Sequence, residues 1–125
     1  MQLRRRSWRG KFADAFRGLS RAIRSQSSFL VHIWVAAAVV AVAAVLRVGP
    51  LEWCLLAAAI GIVLAAEIFN TAIESLARAI PVGRHPRIRD ALDMASAGVL
   101  VASATAVAIG LIVFGTRAAT LLGVW

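Results

Sequence analysis

Several hallmarks of common enzyme classes are missing from this sequence. It has one cysteine, Cys54, so the chain by itself cannot form a disulfide framework. It contains no Walker A loop, no glycine-rich kinase loop and no H-E-x-x-H motif. Acidic residues are few, six against 14 basic ones, and the middle of the chain carries almost no charge. The basic N-terminus is not followed by a short apolar core with a cleavage site, so we expect no cleavable signal peptide.

Apolar side chains, in contrast, are abundant. The sequence is 61% hydrophobic, with a mean hydropathy of +0.82. A soluble protein of 125 residues could not bury that much apolar surface, which excludes a soluble nucleotide-binding fold. Long uncharged runs separated by polar or basic breaks therefore predict an all-α integral membrane protein of one domain.

The breaks between the apolar runs predict where the membrane-spanning helices begin and end. A polar stretch at 25–28 precedes the first span, and a turn at 47–50 separates it from the second. Pro81 ends the second helix, a basic loop continues to Arg89, and Asp90 or Asp93 begins the third helix. The predicted spanning helices are 29–46, 51–80 and 93–115.

Residues 7–24 predict an amphipathic helix that lies on the membrane surface. Its apolar residues recur at helical spacing: Trp8, Phe12, Phe16, Leu19 and Ile23. Arginines occupy the neighbouring face, a pattern typical of an interfacial helix on anionic lipid headgroups. An ordinary amphipathic core helix is the alternative. The net charge of +8 could also suggest nucleic acid, but beside three apolar runs lipid headgroups are the better partner.

The distribution of arginine predicts the orientation in the membrane. The N-terminal segment and the loop at 81–89 are rich in arginine, whereas the turn at 47–50 and the C-terminal tail have one each. By the positive-inside rule, the N-terminus and the second loop are cytoplasmic. Three spans then place the C-terminus outside a plasma (inner) membrane.

An acidic stripe is the main candidate for a functional site. Glu67, Asn70 and Glu74 fall within about 60° of one another on a helix. The stripe begins inside an apolar segment, where a carboxylate is by default a functional hypothesis; a solvated helix end is the alternative. The predicted orientation puts these residues on one cytoplasmic rim, together with Gln26, His85 and Asp93. His32, just inside the first span, is interpreted as a hydrogen-bonded packing residue.

Paired carboxylates beside arginines suit a divalent cation and a phosphate donor. Magnesium takes one or two carboxylates and completes its shell with water and phosphate oxygens. A second carboxylate can accept a proton from a hydroxyl nucleophile, and arginine neutralises phosphate charge during transfer. Residue chemistry alone therefore predicts a small membrane protein with an acidic rim that can bind a metal.

The stripe and a second block resemble a known family. Glu67-Ile68-Phe69-Asn70-Thr71-Ala72-Ile73-Glu74 resembles the E-[IL]-x-N-[ST]-A-[IL]-E signature of the prokaryotic diacylglycerol kinase and undecaprenol kinase family. His85-Pro86, followed by Asp93 to Leu100, is similar to its second block. The resemblance implies a homotrimeric, three-span lipid kinase. Such enzymes transfer the γ-phosphate of ATP to the hydroxyl of a membrane lipid, with Mg²⁺.

The resemblance also implies roles for individual residues. Glu67 would be the general base and Glu74 a metal ligand. Asn70 and Asp93 would be polar groups near the nucleotide, and His85 would lie close to it as well.

Two positions depart from the family pattern. Gln26 stands where the family usually has a metal-binding glutamate, and Leu92 stands where it has a lysine. Gln26 can still offer a carbonyl oxygen to Mg²⁺, but with one negative charge fewer. Arg89, one helical turn before Leu92, is the candidate for the missing cation near the nucleotide.

Two other functions compete with an active kinase. One is a catalytically weak or inactive family member that acts as a membrane-embedded interaction or structural protein. The other is a small transporter, which predicts a carboxylate near the middle of the bilayer. Glu67 instead lies about 24 Å along the helix from Leu51, near the inner edge of a hydrocarbon core about 30 Å thick.

Overall fold

The structure of this protein is a computed structural model, which describes residues 7–25, 27–80 and 85–124. These residues form helices joined by short connections, with no strand in the described ranges. The helices are α1 Trp8–Ser25, α2 Ser27–Leu46, α3 Pro50–Ala79 and α4 Pro86–Leu121. The all-α prediction is confirmed.

Three of the helices are long and apolar enough to cross a membrane. These segments are Ser28–Leu46, Pro50–Ala79 and Pro86–Leu121. Many of their large apolar side chains point away from the rest of the chain; Trp34, for example, is 74% exposed and Leu111 is 71% exposed. Such surfaces suit contact with hydrocarbon or with further transmembrane helices, and they leave the chain with only a small buried core.

The third spanning helix begins earlier than the sequence predicted. Its first residue is Pro86, not Asp90 or Asp93, and it continues to Leu121 beyond the predicted end at 115. His85 caps this helix, because its Nδ1 accepts a hydrogen bond from the backbone N–H of Arg87 at 3.2 Å. Proline is also favoured at the first helical position, where its missing N–H costs nothing. The prediction was wrong because it looked for an acidic cap.

The turn between α2 and α3 ends the first span in a way that the sequence did not reveal. Arg47 takes the left-handed conformation, with φ of 51°, a role usually filled by glycine. The N–H groups of Arg47 and Val48 donate to the carbonyls of Ala44 and Ala43, which is the hydrogen-bond pattern of a Schellman motif. Pro50 then begins α3 directly.

A buried apolar cluster holds α2, α3 and α4 together at the end of the molecule near this turn. Ala43, Val48, Leu56 and Val113 form a small buried cluster contributed by α2, the turn, α3 and α4. Beside it, Arg117 Nε on α4 donates a hydrogen bond to the carbonyl of Leu46 at 2.7 Å. This bond satisfies a carbonyl that the end of α2 would otherwise leave without a partner.

At the opposite end, α1 packs against α2 and α3. Ala22 of α1 and Phe29 of α2 are buried there, at 5% and 1% exposure. The aromatic residues Trp8, Phe12 and Phe16 of α1 are exposed. The helix predicted at 7–24 is thus present as α1, while its position on a membrane surface stays a prediction.

Candidate functional site

Glu67 lies buried between α2 and α3. The residue is only 3% exposed. Ser28 Oγ on α2 donates a hydrogen bond to Glu67 Oε1 at 2.8 Å. The Nε2 atom of His32, also on α2, lies 3.6 Å from Glu67 Oε2. Both oxygens of this carboxylate therefore face a polar group of α2, which is how a chain can keep a carboxylate away from water.

Helix geometry explains why α2 can supply both groups. Residues four apart lie on one face of a helix, so Ser28 and His32 project together toward α3. Phe29, between them in sequence, is the largest side chain with essentially no exposure, and it fixes the first turns of α2 against the other helices. The first turns of α2 thus supply both the buried Phe29, which packs this helix against the others, and the polar side chains that contact Glu67.

Asn70 and Glu74 form the next part of the stripe on α3. Asn70 Nδ2 donates to Glu74 Oε1 at 2.9 Å, and Arg78 Nη2 lies 3.6 Å from Glu74 Oε2. Asn70 Oδ1 and Thr71 Oγ1 are buried and, within the described residues, have no hydrogen-bond partner. A buried polar atom left without a partner costs about 1–3 kcal/mol. These two atoms are therefore well suited to contact a ligand.

Two grooves lie close to the stripe, although neither Glu67 nor Asn70 nor Glu74 lines them. One, of about 1100 Å³, lies between α1 and α3 and is lined on its polar side by Arg21, Arg24, Arg78, Thr71 and Ser75. The other, of about 380 Å³, lies among α2, α3 and α4 and is lined by apolar residues except for His32. One groove therefore suits a negatively charged group and the other suits a hydrocarbon chain.

The predicted site residues fall into two groups. The structure places Glu67, Asn70 and Glu74 along one stripe of α3, as predicted, with the burial of the side chain decreasing from Glu67 to Glu74. His85, Arg89 and Asp93 are exposed at the start of α4. Within the described residues, no hydrogen bond or ion pair joins this second group to Glu67 or Asn70. Gln26 lies outside the described residues.

Sequence reasoning missed the part of the site that α2 contributes. His32 was interpreted as a packing residue, and Ser28 was treated only as part of a polar break. The available signal was their spacing of four residues at the start of an apolar run, which places two polar side chains on one face. The grouping of Arg21 and Arg24 with Arg78 was not predicted either.

The polar atoms of the stripe fit a magnesium ion that is shared with a phosphate ligand. Among the residues that the structure describes, no three His, Cys, Asp or Glu side chains are arranged to hold a metal ion. Magnesium does not need such a cage, because one or two carboxylates with phosphate and water complete its shell. The Glu74 carboxylate and the unpartnered Asn70 Oδ1 supply oxygen atoms of the required kind.

Comparison with known proteins decides the family. The family described as prokaryotic diacylglycerol kinase matches residues 13–114, a range that includes the stripe and the start of α4. The chain belongs to this family. The match extends over α2 and α3 and most of α4, so the family assignment rests on nearly the whole fold and not on one motif.

Two relatives agree with this assignment. The chain is 31% identical over 103 residues to a protein of Bacillus subtilis named undecaprenol kinase, covering 82% of this chain and 84% of the relative. It is 33% identical over 101 residues to a Synechocystis protein named diacylglycerol kinase, covering 79% of this chain and 57% of that relative. The prokaryotic diacylglycerol kinase family is thus one of lipid kinases, and the apolar helices agree with a place in a membrane.

Proposed function

We propose that the protein is an ATP-dependent lipid kinase, which transfers the γ-phosphate of ATP to the hydroxyl of a membrane lipid such as diacylglycerol or undecaprenol. The observation that carries the proposal is the position of Glu67. This buried carboxylate lies about 24 Å along α3 from Leu51, close to one edge of a hydrocarbon core about 30 Å thick. His32, which also lines the apolar groove, lies beside it. A lipid hydroxyl and a water-soluble phosphate donor can meet only at such a boundary.

In the proposed reaction Glu67 is the general base. It accepts the proton of the lipid hydroxyl as the hydroxyl oxygen forms a bond to the γ-phosphorus. The bond from the γ-phosphorus to the bridging oxygen breaks, and ADP leaves with the electron pair. The burial of Glu67 supports this role, because a base that is shielded from water does not activate a water molecule to attack the phosphoryl group in place of the lipid hydroxyl.

The nucleotide is proposed to lie on the cytosolic side of Glu67. The groove between α1 and α3 offers Arg21, Arg24 and Arg78 to the phosphates, and Thr71 is among the residues that line it. Glu74 and Asn70 would hold Mg²⁺, which would neutralise phosphate charge during the transfer. Gln26 is proposed as a further oxygen ligand.

His85, Arg89 and Asp93 are proposed to contact the nucleotide from the start of α4. These three residues make no described contact with Glu67 or Asn70. We therefore propose that, in a homotrimer, they complete the site of a neighbouring copy. The homotrimer, the cytoplasmic N-terminus and the plasma membrane location belong to the same proposal, as does contact of α1 with anionic lipid headgroups.

The hydrocarbon chain of the substrate is proposed to occupy the apolar groove. Its lining is formed by aliphatic and glycine residues of α2, α3 and α4, with Phe114 toward one end and His32 toward the other. A chain bound there would bring its polar head to the level of Glu67. His32 supports this placement, because it lines the groove and also lies 3.6 Å from the Glu67 carboxylate.

The proposal is tested by the transfer of radiolabelled phosphate from ATP to a panel of lipids in mixed micelles. We expect lipid phosphorylation that needs Mg²⁺ and is lost in Glu67→Gln. Binding of ATP without transfer to any lipid would favour the alternative function, a catalytically inactive family member. That alternative is favoured by Gln26 and Leu92, which replace a carboxylate and a cation of the family pattern.

A further inference from the structure

We infer that Ser28 and His32 are positioning residues for Glu67, holding its carboxylate in the orientation in which it accepts the proton of the lipid hydroxyl. The inference rests on the proposed function of Glu67. It adds a role for two residues of α2, a helix that contributes no residue to the acidic stripe.

Each oxygen of Glu67 faces a different group. Ser28 Oγ donates to Oε1 at 2.8 Å, and His32 Nε2 lies 3.6 Å from Oε2. A glutamate side chain has three rotatable bonds, and two contacts from a neighbouring helix fix where its carboxylate plane lies. Each carboxylate oxygen has two lone pairs, so each of the two contacts leaves one that can accept the proton of the substrate hydroxyl.

The position of His32 indicates that it does more than stabilise a buried carboxylate. A buried carboxylate needs donors simply to remain stable, and Ser28 supplies one. His32 differs, because it lies beside Glu67 and also lines the apolar groove. His32 therefore lies where the head group of a lipid in the groove would bind. The side chain that orients the Glu67 carboxylate would then be next to the substrate.

The contact between His32 and Glu67 can be observed without any activity measurement. The chain has two histidines, His32 and His85, so ¹⁵N-histidine labelling in micelles gives two sets of imidazole signals. The set that disappears in His32→Gln belongs to His32. We expect Glu67→Gln to shift the His32 signals and to leave those of His85 in place. Unchanged His32 signals would overturn the inference, because the two side chains would then not be in contact.

Kinetics test what the contact does. His32→Ala removes the ring nitrogen that lies beside Glu67 Oε2, whereas His32→Gln keeps a polar N–H group near the position of Nε2. Ser28→Ala and Ser28→Thr form the same kind of pair. We expect each alanine variant to lower kcat by about tenfold, as when the partner that orients a functional group is removed, and to leave KM for ATP within about twofold. Gln and Thr should restore most of the rate.

Val31→Ala is the matched control, since Val31 is on the same helix turn, 59% exposed and outside the groove. Thermal unfolding of every variant separates a positioning effect from loss of fold. A His32→Gln variant as slow as His32→Ala, or alanine variants that are destabilised but have an unchanged kcat, would overturn the inference. If the wild-type protein phosphorylates no lipid, the proposed function fails, even where the spectra show the contact.

Discussion

At the residue scale, Glu67 and Glu74 are both carboxylates of one helix but have different surroundings. Glu67 is buried between Ser28 and His32, whereas Glu74 is paired with Asn70 and Arg78 nearer the end of α3. Seven residues separate them, or about 10 Å along the helix, so one Mg²⁺ cannot bind both directly. The proposed reaction places the lipid hydroxyl at Glu67 and the nucleotide at Glu74, in keeping with this difference in burial.

We therefore expect opposite effects from two amide substitutions. Glu67→Gln should keep magnesium-ATP binding and lower phosphoryl transfer by about 10²–10⁴-fold, because an amide cannot take the proton. Glu74→Gln should weaken magnesium-ATP binding itself. Calorimetric titration with magnesium-ATP, run beside the lipid phosphorylation assay, measures both. Loss of binding in Glu67→Gln with normal binding in Glu74→Gln would reverse the two roles.

Arg47 gives a second prediction at this scale. Its φ of 51° is a left-handed conformation that costs a residue with a Cβ atom about 1–2 kcal/mol. Arg47→Gly should therefore raise the free energy of unfolding in detergent micelles by about 1 kcal/mol, after the greater freedom of glycine in the unfolded chain is subtracted. Arg47→Ala is the control and should bring no such gain, since alanine keeps the Cβ. Equal stability of the glycine and alanine variants would contradict the backbone explanation.

At the element scale, α2, α3 and α4 enclose the apolar groove without filling it. Gly110 of α4 lines the groove, and a Cβ atom added there meets no other atom within 4 Å. A large side chain at this position can therefore enter the groove without displacing the backbone. The groove can be narrowed from α4 while Glu67 and its partners on α2 stay in place.

Gly110→Phe should accordingly raise KM for the lipid and leave magnesium-ATP binding unchanged. Ile112→Phe is the matched control, because Ile112 is on the same helix, 66% exposed and outside the groove. Lipid phosphorylation at varied lipid concentration measures the effect. The same lipid KM for both variants would show that the substrate chain lies elsewhere. A changed oligomeric state in Gly110→Phe alone would show that another copy of the chain covers the groove.

At the scale of the whole molecule, the small core and the exposed apolar surfaces of three helices fit a chain surrounded by lipid or by further transmembrane helices. The candidate site residues lie at the end of the molecule that bears α1. The Schellman turn and the buried apolar cluster lie at the opposite end. This difference between the two ends agrees with the arginine distribution, which predicts that the end bearing α1 and Glu67 is cytoplasmic.

Reporter fusions test the orientation. Reporters placed after Arg24, Gly49 and Trp125 should read cytoplasmic, external and external, because three crossings separate the two termini. A fusion after Ser7 serves as the control and should agree with the one after Arg24. A cytoplasmic signal at Trp125 would contradict the three-span arrangement.

The sequence by itself determined whatever depends on local pattern. Uncharged runs set the three spanning helices, because crossing hydrocarbon requires about 20 apolar residues in a row. Helical periodicity set the stripe of Glu67, Asn70 and Glu74, because residues three and four apart share a face whatever surrounds them. The motif around the stripe was enough to suggest the family that comparison then confirmed.

Tertiary structure alone decided which groups meet across helices. Ser28 and Glu67 are 39 residues apart, and only the packing of α2 on α3 brings them to 2.8 Å. The caps differ, because they depend on local hydrogen bonds that the sequence pattern did not reveal: His85 begins α4, where an acidic residue was expected, and Arg47 ends α2 in a left-handed conformation. Helix periodicity fixes the face a residue occupies, but the packing of that face on another helix gives it a partner, and this is why the α2 side of the site was found only in the structure.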